Sequence, residues 1–480
     1  MSEGSGSPPS WRPRDALAMA VVTIAGGLIR LWQVTVPDRI VFDEAYYAHD
    51  ACVFVRPAAA CGGIGEAFSE EHPLLGKWIV AAGIKLFGNE PLGWRIMSVV
   101  AGTTAIALLF LLARRLLRST VAASLAAGLL AVDGMHVVLS RVAMLDVFVT
   151  TFSLATVLFV VIDRDRDRER TERARAGRER IADRPWLLAA GVAGGAAAAT
   201  KWSGLPFLAM SAVLVLVWDR RAGRTSPAAG GSAPGWAGLG TIALALILVP
   251  LAVYVVSFAG RLDGQVLALP WQHDSWAWAF VRRQVRMLSF HADLAGAYPY
   301  ESPAWSWPML KRPVVFAFEV EAGRFREILA LGNPVVWWGG AAAAIACAVR
   351  WLRARGGPEG VILAGVAAGY LWWLPVTSSR SFSFLFYLTP AVPFLCLALA
   401  REAQRTWGSV AGRAATAVVA LAAVCALVFF LPVLTFRPLD GDDWASRLWF
   451  TACRPESVVG DPPRPQSSTV TEPPEGWCWI

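Results

Sequence analysis

Asp43 and Glu44 stand side by side in the run Val41-Phe42-Asp43-Glu44-Ala45-Tyr46-Tyr47, just after the first strongly apolar stretch of the chain. A carboxylate at the edge of a hydrocarbon layer is costly unless water, a cation or a substrate accompanies it. More ionisable groups follow at the ends of later apolar stretches. They lie in Glu70-Glu71-His72-Pro73-Leu74-Leu75-Gly76-Lys77, in Gly93-Trp94-Arg95, in Asp133-Gly134-Met135-His136, in Ser140-Arg141 with Asp146, and in Thr200-Lys201-Trp202. Taken singly, each could be a structural ion pair, and Arg141 with Asp146 could simply pair at a helix end. Taken together, acids, bases and imidazoles at one end of a helical bundle mark a polar cavity. Such a set is suited to proton abstraction by a carboxylate and to stabilisation of an anion by fixed cations.

The elements that must carry these groups are membrane helices. The chain is 56% hydrophobic, and its mean hydropathy is +0.48, which describes an integral membrane protein. Apolar runs long enough to cross or nearly cross a bilayer recur at Ala16–Val34, Leu92–Ala113, Val121–Leu139, Leu145–Ile162, Trp186–Thr200 and Leu205–Trp218. They continue at Trp236–Phe258, Pro334–Val349, Val361–Val376, Phe382–Ala400 and Ala414–Pro432, about eleven spans in all. An odd number places the termini on opposite sides. Arg12 and Arg14, Arg114 to Arg118, the Arg164–Arg184 segment, Arg220 to Arg224, Arg350 to Arg355 and Arg401 to Arg413 all fall on one side. The positive-inside rule makes that side cytoplasmic. The +8 net charge is then explained without a nucleic-acid partner. The expected organisation is a cytoplasmic segment over residues 1–15, a membrane domain over 16–432 and an extracytoplasmic tail over 433–480. The protein is expected in the plasma membrane, with its first span an uncleaved anchor.

Two outer loops, the first and the fourth, are long: about Thr35–Pro91 and about Ala259–Asn333. Within the second of these, Trp276–Leu288 has the pattern of an amphipathic surface helix. Residues 163–184 alternate acid and base, as a solvated helix or linker does. Cys347, Cys396 and Cys425 fall in spans and read as small apolar residues. Cys52, Cys61, Cys453 and Cys478 fall outside, where oxidation is permitted. Three connectivities are possible, of which the local one, Cys52–Cys61 with Cys453–Cys478, is preferred.

The ordered set FDEAYYAHDA, HPLLGKW, GWRIMS, DGMHVVLSRVAMLD and TKWSG, followed by SFHADLAGAYPYESPAWSWP, GNPVVWW and RSFSFLFYLTPAVPF, resembles the protein O-mannosyltransferases, especially actinobacterial ones. The collinear match covers most of the chain. Leu74 and Tyr298 depart from the usual proline and histidine of the family motifs. The resemblance implies an all-α polytopic membrane protein of the GT-C glycosyltransferase fold. It implies mannose transfer from polyprenyl-phosphate mannose to Ser or Thr of exported proteins. The partners would be that lipid-linked donor, membrane lipids, and secreted or membrane protein acceptors, including chains emerging from the translocon. The segment between spans seven and eight is too short for the β-trefoil domain of eukaryotic relatives.

On this reading Asp43 is the general base that activates the acceptor hydroxyl. Glu44 binds acceptor backbone or holds Asp43. Arg95 and Arg141 neutralise the departing lipid phosphate, with Lys77, Lys201 and Arg380 behind them. His72, Asp146, His291 and Trp305 support the site. One carboxylate and a single displacement imply inversion, although Glu44 as a second carboxylate would permit a covalent route. No Asp-x-Asp pair accompanies Asp43 and no His/Cys set has metal-ligand spacing, so neither metal nor cofactor is required by this chemistry. Another GT-C transferase using a different lipid-linked sugar is the nearest alternative, and HPLLGK with AWSWP argues against it. A transporter is the alternative of a different class. It is opposed by the lack of inverted repeats and by charges gathered at one face.

Overall fold

The computed structural model describes residues 11–57, 60, 61, 69, 71–171, 184–221, 234–259, 275–293, 300–377 and 383–449. Arg380, Tyr298, Cys453, Cys478 and most of the Arg164–Arg184 segment therefore lie outside the described residues.

The chain opens with α1 (Pro13–Leu31), α2 (Glu44–Val55), α3 (Leu75–Phe87), α4 (Pro91–Leu117), α5 (Thr120–Ala131) and α6 (Gly134–Leu139). It continues with α7 (Leu145–Thr171), α8 (Pro185–Thr200), α9 (Leu205–Arg221), α10 (Pro234–Ala243) and α11 (Val249–Val256). Outside these lie α12 (Trp276–Asp293) and two strands, β1 (Val314–Glu321) and β2 (Arg324–Ala330). The last part comprises α13 (Pro334–Ala354), α14 (Glu359–Val366), α15 (Trp373–Val376), α16 (Val392–Thr406), α17 (Val410–Leu434) and α18 (Gly441–Ala445).

The local sequence explains the boundaries. Pro13, Pro91, Pro185 and Pro334 start their helices at the first turn, where a missing N–H costs nothing. Ser119, Asp133, Asn333 and Ser409 accept hydrogen bonds from first-turn amides as N-caps. α8 is a run of Gly and Ala, and small residues let membrane helices approach closely. A Cβ on Gly191 would lie 1.9 Å from the Ala245 carbonyl oxygen, so this contact with the neighbouring span requires glycine.

Eight helical segments among the described residues are long and apolar enough to span a bilayer. The expected count of about eleven is not reached by that measure. α5 and α8 are shorter apolar helices, and α1 carries Arg14, Asp15 and Arg30. Two of those charges have partners inside the protein: Arg114 pairs with Asp15 at 2.9 and 3.1 Å, and Arg30 donates to the Leu130 and Ala131 carbonyls at 3.2 Å.

The fold is helical as expected and carries one extramembrane element that the sequence reading did not foresee. β1 and β2 form an antiparallel hairpin with Val314 opposite Ala330 and Glu321 opposite Arg324. Its two-residue turn, Ala322-Gly323, has both φ angles positive, 50° and 75°, the geometry that matches the twist of paired strands. The start of the tail packs on this hairpin. Leu439 pairs with Phe325, and Trp444 stacks on Phe325 at 4.8 Å while donating to Glu327 at 2.8 Å. Residues 435–448 thus belong to the folded unit, because the hairpin offers them an apolar face and a backbone edge.

Candidate active site

Asp43 and Glu44 are adjacent in the chain but sit in different environments. Asp43 is the N-cap of α2, half-buried, and Glu44 is the first helical residue, fully buried. Phe42, one step earlier, has φ 47°, a left-handed conformation that is costly for a bulky side chain. Aromatic packing holds it there. Its ring stacks on Phe316 of β1 at 4.4 Å and meets Phe384 and Phe386 edge-on at 6.4 and 5.9 Å. The hairpin of the fourth outer loop therefore sets the backbone of the acidic pair in the first.

Every acceptor position of Glu44 in use points into the protein. Its oxygens accept from Arg95 Nε at 2.8 Å and Arg95 Nη2 at 2.9 Å, and from the amides of Val41 at 3.0 Å and Ala143 at 2.9 Å. Arg95 is equally committed. Besides Glu44 it donates to the carbonyls of Val34, Pro37 and Arg39 at 3.0, 2.9 and 2.8 Å, so all five of its N–H groups have acceptors. Arg141 donates to the carbonyls of Ile29, Arg30, Trp32 and Gln33. Both guanidinium groups thus clamp the chain between α1 and α2. In this arrangement a phosphate at Arg95 would have to displace acceptors already in place, whereas Arg141 keeps its Nε outside these bonds. Asp146 is also not paired with Arg141. Its oxygens accept from Lys201 Nζ at 3.0 and 3.1 Å.

Asp43 is the exception to this saturation. Among the described residues its hydrogen-bond donor is the Tyr47 hydroxyl, at 3.4 Å. Burial pushes its carboxyl up to about 7; Lys201 pulls it down, and Asp146 pushes it further up. Around Asp43 the structure gathers several of the expected residues. Tyr47 faces His72 at 6.0 Å between rings, His72 faces His291 at 5.4 Å, and His291 faces Trp202 at 5.9 Å. His291 Nε2 lies 2.8 Å from the Glu71 carbonyl oxygen, which ties α12 to the first outer loop. Lys201 Nζ sits 4.5 Å from the Tyr387 ring centroid. Lys77 forms a buried ion pair with Asp50 at 2.7 Å and donates to the Ser69 carbonyl at 2.6 Å, which makes it a clamp within the first loop.

Trp305 takes no part in this gathering. It is 57% exposed with Lys311 over its ring, whereas Trp307, two residues on, is fully buried and bonded to Ser302. Cys52 and Cys61 are bonded as expected, closing the end of α2 onto the loop. Sequence reasoning missed Tyr254 and Gln284. Trp202 Nε1 donates to the Tyr254 hydroxyl at 2.9 Å, which donates to Gln284 Oε1 at 2.6 Å, fastening α12 over the site. It also missed the hairpin, which the alternating residues around Ala322-Gly323 could have revealed.

The polytopic helical bundle, with its acidic pair at the head of α2, has the fold of the GT-C membrane glycosyltransferases. Solved structures agree on the fold. The S. cerevisiae protein O-mannosyltransferase Pmt1–Pmt2 complex bound to the sugar donor aligns with a TM-score of 0.73 and 15% identity, over 93% of this chain and 94% of that one. ArnT from Cupriavidus metallidurans bound to undecaprenyl phosphate aligns with a TM-score of 0.53 and 18% identity, over 87% of this chain and 70% of that one. Residues 71–261 match the family described as dolichyl-phosphate-mannose-protein mannosyltransferase, and residues 277–452 match the C-terminal four TMM region of protein-O-mannosyltransferase. The polyprenol-phosphate-mannose–protein mannosyltransferase of Mycolicibacterium smegmatis is 30% identical over 93% of this chain and 95% of its own length. That of Corynebacterium glutamicum is 26% identical over 93% and 96%. The chain belongs to the protein O-mannosyltransferase family.

Proposed function

We propose that this enzyme transfers mannose from polyprenyl-phosphate mannose to Ser or Thr hydroxyls of exported proteins at the extracytoplasmic face of the plasma membrane. The observation that carries this reading is the contrast between two neighbours. Glu44 is saturated by Arg95 and two amides, while Asp43, whose carboxyl burial pushes up to about 7, has one long hydrogen bond from Tyr47. A hydroxyl acceptor needs a base near neutrality, and Asp43 joins that property to a carboxylate not used up within the protein.

Asp43 takes the proton of the acceptor hydroxyl as its oxygen bonds to the anomeric carbon and the bond to the lipid phosphate breaks. The departing phosphate gains negative charge. Lys201, with two contacts to Asp146 and three N–H groups, has a donor to offer it, and Arg380 remains a candidate for the same role. With Glu44 turned inward and held by Arg95, and Asp146 bound to Lys201, neither is placed as a free nucleophile, and a single inverting displacement is the route this arrangement favours. A β-linked donor then yields an α-linked product. His72, beside Tyr47, and His291, beside His72, are the imidazoles we assign to the acceptor side. The cytoplasmic placement of the N-terminus and the outer placement of the tail rest on the Arg bias of the loops.

The test is transfer from synthetic polyprenyl-phosphate mannose to a Ser/Thr peptide in nanodiscs, followed by digestion with linkage-specific mannosidases. An α-linked product lost in Asp43→Asn is expected. A β-linked product would overturn inversion, and an active Asp43→Asn enzyme would overturn the base.

A further inference from the structure

α7 carries Asp146 at one end and Asp163 at the other; seventeen residues at 1.5 Å each separate them by about 25 Å. At the Asp163 end, away from Asp43, a cavity of about 1030 Å³ opens among α4, α7, α9, α13 and α14. Its lining contains six arginines, Arg115, Arg118, Arg164, Arg184, Arg221 and Arg355. Three aspartates oppose them, and these are already engaged. Asp163 and Asp219 accept from Arg184 at 2.6 and 2.7 Å, and Asp165 lies 3.1 Å from Arg164 and 3.6 Å from Arg115. Arg221 and Arg355 are exposed and form no ion pair among the described residues. The other walls are apolar. Met210, Val213 and Val217 come from α9, and Leu363 and Ala367 from the segment that begins with α14. Val213 and Val217 are 51% and 38% exposed on a helix that must face hydrocarbon.

We propose that this cavity binds an anionic phospholipid, its phosphodiester held by Arg221 and Arg355 and its acyl chain along α9 and α14. The chemistry of the walls selects this occupant. A soluble anion would satisfy the arginines but make no use of the apolar wall that runs from them along α9, and a neutral lipid would leave the excess cations without counter-charge. Guanidinium groups grip phosphate in a planar fork. The site is remote from Asp43 and rests on the membrane-spanning fold, not on the proposed donor or acceptor.

The experiment is native mass spectrometry of the full chain in mild detergent, titrated with phosphatidylglycerol, with phosphatidylcholine of matched chains, or with inorganic phosphate. Phosphatidylglycerol adducts should exceed phosphatidylcholine adducts by about tenfold. The double variant Arg221→Gln/Arg355→Gln should bring the two lipids within about twofold. Val217→Trp, which fills an exposed part of the groove, should reduce phosphatidylglycerol occupancy with the melting temperature unchanged. Mannosyl transfer by each variant verifies the fold, since none of these residues is at the active site. Equal retention of both lipids, an unaltered preference in the double variant, or inorganic phosphate competing as well as the lipid would overturn the proposal.

Discussion

Glu44 and Arg95 form a buried two-pronged ion pair in which Arg95 simultaneously binds three backbone carbonyls of the segment leading to Asp43. Such a pair orients; it does not react. Removing one partner leaves the other charge buried, at about 3–5 kcal/mol. Glu44→Ala and Arg95→Ala should therefore lower melting temperature and yield together with activity. Arg95→Lys should recover little, because an ammonium has three donors and no planar fork. Thermal unfolding of the three variants in detergent is the check, and an Arg95→Ala protein of native stability would contradict the clamp.

Asp43→Asn should fold normally and lose roughly two to four orders of magnitude in transfer rate, the usual contribution of a general base. The measurement is initial rate with purified donor lipid beside an unfolding curve.

The pH dependence follows from the same residue. A carboxylate acting as the base has to be ionised, and burial pushes the Asp43 carboxyl up to about 7, so under the proposed role the rate should rise with pH through that value. The sign for stability is opposite. Unfolded, the carboxyl ionises near 4; between about 4 and 7 the folded state binds more protons, so this residue's contribution to stability falls as pH rises. Asp43→Asn should flatten that portion of the stability curve.

Asp146 and Lys201 bias this ionisation in opposite directions. Asp146→Asn should shift the rising limb of the rate profile to lower pH, and Lys201→Met should shift it higher while also leaving Asp146 without its partner. Profiles that do not move would show that neither charge is felt at Asp43.

Phe316→Ala removes the ring stacked on Phe42 and with it the support for a left-handed backbone beside the base. Aromatic pairs contribute about 0.5–1.5 kcal/mol, so turnover should fall roughly two- to tenfold. Single-turnover kinetics would separate this from substrate binding. Phe316 is in the fourth outer loop, so an effect there would report the coupling of the two loops.

Hydropathy, the Arg bias and the ordered motifs made the membrane bundle and its family legible from residue order alone. Apolar length and charge are local properties that survive in a linear string. The division of labour between Asp43 and Glu44 was not legible. It depends on Arg95 and the Ala143 amide, 51 and 99 residues away from Glu44. The same holds for Arg141, whose partners on α1 and after it are backbone carbonyls more than 100 residues distant. Every residue carries a carbonyl, so no pattern of side chains announces which arginine will find four of them. A guanidinium placed at a span end reads as a phosphate ligand until folding brings those carbonyls to it, and only the tertiary structure decides that the chain itself is the ligand.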